Sequence, residues 1–377
     1  MTVVGKFLPL LGWVLAGVLM AEPASCESWV DLNVGSELQR PNEQTVVDQT
    51  ALVRLNTRYS APVGITLNAH YGLAHRVRLV DEPGTGIAAA QSTGADLRLW
   101  DLPTELWRSD GDTWVIEQNL DTLHGVFYWG AQEFTVGRQP ISLGVSRQFS
   151  PLDVVVPQRI GAQERSYRPG VDAVRWRNPL GLTGELDVGW VFGQDNLLFA
   201  RATQQWGTVS AEFTALTLNQ AQWIVGLSTQ TFAGDWGLWQ ESAWLHDDVL
   251  SGARITLGAD RSVWSDVYVV AEYHYNDVGD AENMTSDFFQ KGLVTLGKQH
   301  YVALNASATP SPLVNLNLGL LHNIQDADTL LLGNVGRSLG NNTQVDATIE
   351  VPLAKQDSGT EFAQIPLRLA VLWSTVF

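Results

Sequence analysis

Residues 367–377 read LRLAVLWSTVF. In an extended chain successive side chains point to opposite sides. Leu367, Leu369, Val371, Trp373, Thr375 and Phe377 therefore share one face, and Arg368, Ala370, Leu372 and Ser374 the other. One face is apolar and closes on an aromatic residue, while the other admits a charge and a hydroxyl. The same period of two runs upstream. Val30, Leu32 and Val34 alternate with Asp31, Asn33 and Gly35, and Leu186, Val188 and Trp190 with Glu185, Asp187 and Gly189. Val267, Val269, Ala271 and Tyr273 alternate with Glu272 and His274, and Val345, Ala347, Ile349 and Val351 with Asp346, Thr348 and Glu350.

A β-sandwich alternates too, but its strands usually span about five or six residues. Here alternation persists for about ten, charges fall on one face, and aromatics gather toward the ends of the other. Those are the marks of an antiparallel barrel with a lipid-facing apolar band around a polar interior. Composition agrees: 45% hydrophobic but only 17% charged, with 34 Gly and 15 Trp, and a mean hydropathy of -0.02. No apolar run of about 20 residues follows the N-terminus, so a helical membrane protein is disfavoured. The formal net charge of -17 argues against a nucleic-acid partner, which requires a basic surface. Only Lys6, Lys291, Lys298 and Lys355 are lysines, so the positive charge is almost entirely arginine.

At the N-terminus Lys6 precedes the apolar run Phe7 to Ala21 and the small-residue stretch Ala24, Ser25, Cys26. That order of charge, apolar stretch and small residues predicts a signal peptide over residues 1–26, cleaved after Ala21 or after Cys26. Residues 27–377 would then form the barrel. Pro23 occupies the position where a lipoprotein signal carries Leu, so lipidation of Cys26, the single cysteine, is not expected. With such a leader, the terminal strand ending in Phe377 resembles the signal by which the outer-membrane assembly machinery recognises its clients. The expected location is thus the bacterial outer membrane, with membrane lipid and that machinery as partners.

Turn signals order the strands. Short connections fall at 60–62, 129–131, 178–181, 205–207, 233–235, 264–266, 309–312 and 339–342, and longer ones at 41–48, 74–113, 144–169, 278–296 and 355–362. Short turns face the periplasm and long loops the exterior. Their alternation gives an all-β, up-and-down transmembrane barrel of about 18 strands, with 16 to 20 open. Residues 95–107 look strand-like but break the parity, so they are assigned to a long outer loop as a protruding hairpin.

The centre of the chain carries a distinct motif. Gly137-Arg138-Gln139-Pro140-Ile141-Ser142-Leu143-Gly144 is followed by Phe149-Ser150-Pro151-Leu152-Asp153, Pro157 and then Gly170-Val171-Asp172-Ala173. This resembles a group of proteobacterial outer-membrane porin-like proteins with a Gly-Arg-Gln-x-Ile-x-x-Gly strand end and a Phe-x-Pro-x-Asp loop. The group is distantly similar to the alginate-export barrels, and the resemblance implies an 18-stranded channel. Leu143 departs from the Trp common at that position.

Pro151 and Pro157 stiffen the loop that follows the motif, and a structureless loop of about 25 residues often serves function. Residues 145–169 are expected to fold into the lumen and narrow it, through Arg147, Asp153, Arg159, Glu164, Arg165 and Arg168. An outward surface loop is the alternative.

Period two assigns Arg54, Arg58, Arg175, Arg177, Arg201, Arg254 and Arg368 to the pore wall, with Asp31, Glu37, Glu185, Asp187, Glu212, Glu272, Asp346 and Glu350. The mixed signs lack the basic bias that a polyanion conduit needs, so alginate is not carried over as cargo. The side taken by Arg138 is open, because Gly137 could sit at a bulge. The sequence points to a passive channel for small polar solutes. Two other readings are an outer-membrane hydrolase, suggested by His246-Asp247-Asp248 and by His274 with Asn276, and an adhesive barrel working through its outer loops. The histidine clusters lack matched partners, so the chain is not expected to be an enzyme. No metal cluster, phosphate loop or nucleotide fingerprint stands in the sequence, so no cofactor is expected.

Overall fold

The computed structural model describes residues 25–40, 45–62, 64–80, 97–111, 113–157, 168–279, 286–354 and 360–377. Residues 1–24, which hold most of the expected signal peptide, lie outside these, as do Arg159, Glu164 and Arg165 of the expected constriction loop. Among the described residues there are nineteen strands: β1 (Ser25–Arg40), β2 (Val46–Ala61), β3 (Ile65–Val80), β4 (Glu105–Arg108), β5 (Trp114–Trp129), β6 (Gln132–Gln139), β7 (Val171–Leu180), β8 (Gly184–Phe192), β9 (Leu197–Trp206) and β10 (Val209–Leu218). They continue as β11 (Gln222–Ala233), β12 (Trp236–His246), β13 (Ser251–Trp264), β14 (Val267–Asn276), β15 (His300–Ser311), β16 (Val314–Asn323), β17 (Asp328–Ser338), β18 (Thr343–Pro352) and β19 (Leu367–Val376).

Each strand pairs antiparallel with its neighbours, and β19 returns to pair with β1, so the sheet closes on itself. Closure removes the unpaired edges that no lipid could satisfy. Eighteen strands make the wall, because β3 pairs directly with β5. The four-residue β4 only joins the far end of β5, through Trp107↔Ile116 and Arg108↔Val115. Of the strand-like stretch 95–107, residues 97–104 are irregular and only 105–107 join a strand, with 95–96 outside the described residues, so the stretch adds no wall strand and the parity holds. The seam is held at the C-terminus itself, where Phe377 N–H donates to Val30 O at 2.9 Å and Val30 N–H to Phe377 O at 3.2 Å.

The apolar alternates face outward. Leu55, Leu67, Val136, Val174, Leu198, Phe213, Val225, Leu304, Leu318, Val335 and Val371 are all exposed. Such a belt is stable only against lipid hydrocarbon, so the barrel spans a membrane. Trp129, Trp206, Trp236 and Trp264 mark its short-turn end, and Trp114, Trp190, Trp223 and Trp244 the long-loop end, all exposed. These are the two interfacial girdles.

The interior differs from the uniformly polar lumen that alternation suggests. The inward residues of β8 to β12 near the long-loop end are apolar: Val191, Leu197, Phe199, Leu216, Leu218, Ile224, Ala243 and Leu245 are buried. They pack with Ile141, Leu143, Leu152, Val154, Val155 and Val156 from the β6–β7 connection and with Phe288, Leu293 and Val294 from the β14–β15 connection. One side of the barrel therefore encloses a core like that of a soluble protein, built from two long loops lying against the wall.

Candidate functional site

The wall charges are arranged in pairs and triads. Asp187 on β8 accepts from Arg175 on β7 at 2.7 and 2.6 Å and from Arg201 on β9 at 2.8 Å. Asp187 shares one cross-strand row with Arg177 on β7 and Arg201 on β9, and Arg175, in register with Gly189, reaches it diagonally. Arg177 pairs with Glu133 on β6. Arg368 on β19 bridges Glu37 on β1 at 2.6 Å and Glu350 on β18 at 3.1 Å. Arg54 is buried 3.6 Å from Asp121, and Arg58 is exposed two residues further along the same face. Asp346 accepts from Gln344 at 2.8 and 2.9 Å, and Glu185 is half-buried at the start of β8.

Residues 141–157 are fastened to the wall of β10 to β14 by carboxylates. Glu272 on β14 accepts from the backbone N–H of Arg147 at 2.6 Å, Gln148 at 2.9 Å and Phe149 at 3.0 Å, and from Trp239 Nε1 at 2.9 Å. Glu241 on β12 accepts from the N–H of Val145 at 2.7 Å, Ser146 at 2.9 Å and Leu152 at 3.0 Å, and from Ser150 Oγ at 2.6 Å. Glu212 takes the Gly144 N–H at 3.3 Å. A row of three acids thus supplies the hydrogen-bond acceptors that this irregular backbone lacks. Gly144 is required here: its φ is +83°, and a Cβ would stand 2.4 Å from Ser150 Oγ and 2.5 Å from Glu241 Oε1.

Side chains complete the attachment. Arg147 reaches Asp260 at 3.0 Å and lies 5.1 Å over the Trp239 ring. Asp153 pairs with Arg168 at 2.7 Å, and burial pushes its carboxyl up while Arg168 draws it down. Arg254 is buried and donates to Pro151 O at 3.2 Å, and Thr256 Oγ1 donates to Phe149 O at 2.7 Å. Glu241 and Asp260 escape a charge inventory of the sequence. Their signal is position: Glu241 shares the inward row of β12 with Trp239, Ala243 and Leu245, where a lone carboxylate among buried apolar residues demands donors.

Arg138 lies on the side of the exposed Val136, not on the lumen side, and so does its partner Asp172 on the side of Val174. It is buried under residues 97–101. It donates to Asp172 at 2.9 Å, to Asp101 at 3.0 Å and to Leu120 O at 3.0 Å, with the Trp100 ring 5.0 Å away. Arg98 adds bonds to Gly170 O at 2.9 Å and Asp101 at 2.7 Å. The Gly-Arg-Gln and Gly-x-Asp-Ala ends of the motif therefore clamp β6 to β7 and to the outer segment. Gly137 makes the turn into this clamp with φ +118°, where a Cβ would stand 2.3 Å from Leu123 O.

In the two histidine clusters Asp248 is exposed, and His274 Nε2 and Asn276 Oδ1 are buried without a hydrogen-bond partner among the described residues; the other groups are engaged. His246 bonds Ser251 Oγ. Asp247 accepts from the N–H of Val249 and Leu250, each at 2.7 Å, and from Ser286 Oγ. His274 is buried, bonded to Thr256 Oγ1 at 2.8 Å and stacked 5.4 Å from Phe149.

Between the attached loop and the opposite wall lies a cavity of about 810 Å³. It is bounded by β1, β2 and β14 to β19 and by Gln148 of the loop, with Asp31, Arg54, Tyr268, Asp346 and Glu350 on its wall.

No family model matches the chain and no curated protein resembles it significantly in sequence. Its fold is nonetheless found among solved structures. A BenF-like porin from Pseudomonas fluorescens Pf-5 superposes with a TM-score of 0.60 at 9% identity, over 94% of this chain and 98% of the other. Pseudomonas aeruginosa OccK2 (OpdF) in complex with glucuronate gives 0.58 at 10% identity, over 94% and 98%. Acinetobacter baumannii OccAB4 gives 0.58 at 9%, over 94% and 98%. The chain shares the closed-barrel fold of these proteins, a porin among them, along nearly the whole length of each.

Proposed function

We propose that this protein is an outer-membrane channel for the passive passage of small polar solutes, narrowed by residues 141–157. The observation that carries the reading is the cavity, lined by both charged and apolar residues, left between a carboxylate-anchored inner loop and the facing wall of a lipid-belted barrel. A channel needs a rigid, water-wetted path with fixed charges, and the paired wall arginines supply rigidity as well as polarity. The glucuronate in the OccK2 structure is a solute of the size that such a path admits. A hydrolase is disfavoured because Asp247 is committed to its own turn and His274 is enclosed. The N-terminal segment, cleaved after Ala21 or after Cys26, serves as the export signal, cleavage after Ala21 leaving Ser25 and Cys26 to pair in β1, and the strand ending in Phe377 is read by the assembly machinery.

Purified protein in a planar bilayer tests the channel, with discrete conductance steps expected. Removing residues 148–158 should raise single-channel conductance. Unchanged conductance would refute the constriction, and absence of any steps would refute the channel.

A further inference from the structure

The charged and the uncharged polar groups around the cavity are used differently. Its wall carries three carboxylates, Asp31, Asp346 and Glu350, and one guanidinium, Arg54. Each already has a protein partner: Asn56 donates to Asp31 at 2.8 Å, Gln344 to Asp346, Arg368 to Glu350 at 3.1 Å, and Arg54 faces Asp121. A carboxylate solute would find no uncommitted cation among the residues that line the cavity, the exposed Arg58 of β2 standing outside them, and an excess of negative charge.

The uncharged groups form a belt. Tyr268 is in register with Ser307, Ser307 with Asn317, Asn317 with Asn334, and Asn334 with Thr348. That is one continuous cross-strand row over β14 to β18, with side chains about 5 Å apart. A second row sets Asn33 beside Ser374 and Ser374 beside Gln344, over β1, β19 and β18. Within the first row the contacts are sparse: Asn317 reaches Asn334 at 3.4 Å and Asn334 reaches Thr348 at 3.2 Å. Asn33, Asn305, Ser307 and Ser374 line the cavity and make no side-chain hydrogen bond to any described residue. Carboxamides and hydroxyls both donate and accept, as the hydroxyls of a polyol do. A cavity of about 810 Å³ lies within the range of small-molecule sites.

Resting on the channel reading above, we propose that the lumen selects uncharged, polyhydroxylated solutes of monosaccharide size and discriminates against carboxylates. The amide and hydroxyl rows exchange hydrogen bonds with the solute as it passes, while the acidic excess repels anions. The discriminating pair of probes is glucose and glucuronate, alike in size and different in charge.

The experiment reconstitutes the full protein in liposomes and measures entry of each solute, with K⁺ conductance as the control for an open, folded barrel. Glucose should enter about tenfold faster than glucuronate, the ratio expected of a ~1.4 kcal/mol difference. In the double variant Asn317→Leu, Asn334→Leu, glucose entry should fall at least about fivefold with K⁺ conductance retained. Equal or faster glucuronate entry overturns the proposal and leaves the channel standing, and so does unaltered glucose entry in the double variant. Absence of both K⁺ conductance and solute entry in the unaltered protein overturns the channel reading as well.

Discussion

Glu272→Gln isolates the anchoring of the inner loop. The carboxylate accepts three backbone N–H groups and one indole N–H within 3.0 Å. Hydrogen bonds to a charged acceptor contribute roughly 1.5–3 kcal/mol each. The four share one carboxylate, so the sum overstates their worth. Glutamine keeps one acceptor oxygen but turns its NH₂ toward donors, so about two of the four bonds are lost and two N–H groups face a like group. The loop should be loosened by about 3 kcal/mol. At 1.4 kcal/mol per factor of ten, amide exchange at Arg147, Gln148 and Phe149 should accelerate roughly a hundredfold. Hydrogen exchange read by mass spectrometry, on protein refolded in detergent, measures this directly. Exchange at Ala271 and Leu304 in the neighbouring strands should not change, since those amides belong to the β14–β15 pairing. Unaltered protection at 147–149 would refute the anchoring, and a uniform loss across β14 and β15 would show that Glu272 holds the wall instead.

Other consequences follow from particular contacts. Asp187→Asn removes the buried carboxylate that the part-buried Arg175 and Arg201 share, and it should lower stability by about 3–5 kcal/mol in urea unfolding; a loss under 1 kcal/mol would contradict the triad. Gly137→Ala places a Cβ against Leu123 O at a φ of +118° and should cost about 3 kcal/mol or more, visible as a lower refolding yield, whereas wild-type yield would show that the β6 turn can relax. Gln240 faces outward between Trp236 and Trp244 on β12, so Gln240→Leu should stabilise the barrel by roughly 1–3 kcal/mol, and destabilisation would indicate a partner for that amide. Burial raises the carboxyl of Glu361, in the β18–β19 loop, against the pull of the Gly297 N–H. The folded state then binds its proton more readily than the unfolded state does, so its contribution is present at low pH and lost as pH rises through the raised value. Between pH 7 and 4 the protein should gain stability relative to Glu361→Gln, and parallel pH profiles would refute the shift.

Residues 367–377 and the repeated period of two were enough to read an antiparallel membrane barrel, of about 18 strands with 16 to 20 left open, because each strand's two faces meet two different solvents along its whole length. Turn chemistry ordered the hairpins for the same reason: it acts locally. Three things needed the tertiary structure. The side of Arg138 depended on whether β6 bulges at Gly137, where the pairing with β5 and β7 in fact stays in register, and its burial on residues 97–101 folding over it, a contact between segments some 37 positions apart. The role of Glu241 depended on its meeting Val145, 96 positions away, which no periodicity encodes. The wall's inner face became half apolar core and half polar belt only once the loop of 141–157 had taken one side of it. Periodicity assigns a residue to a face, but what covers that face is a matter of long-range packing, and here that packing decided where the cavity lies and which groups remain free to meet a solute.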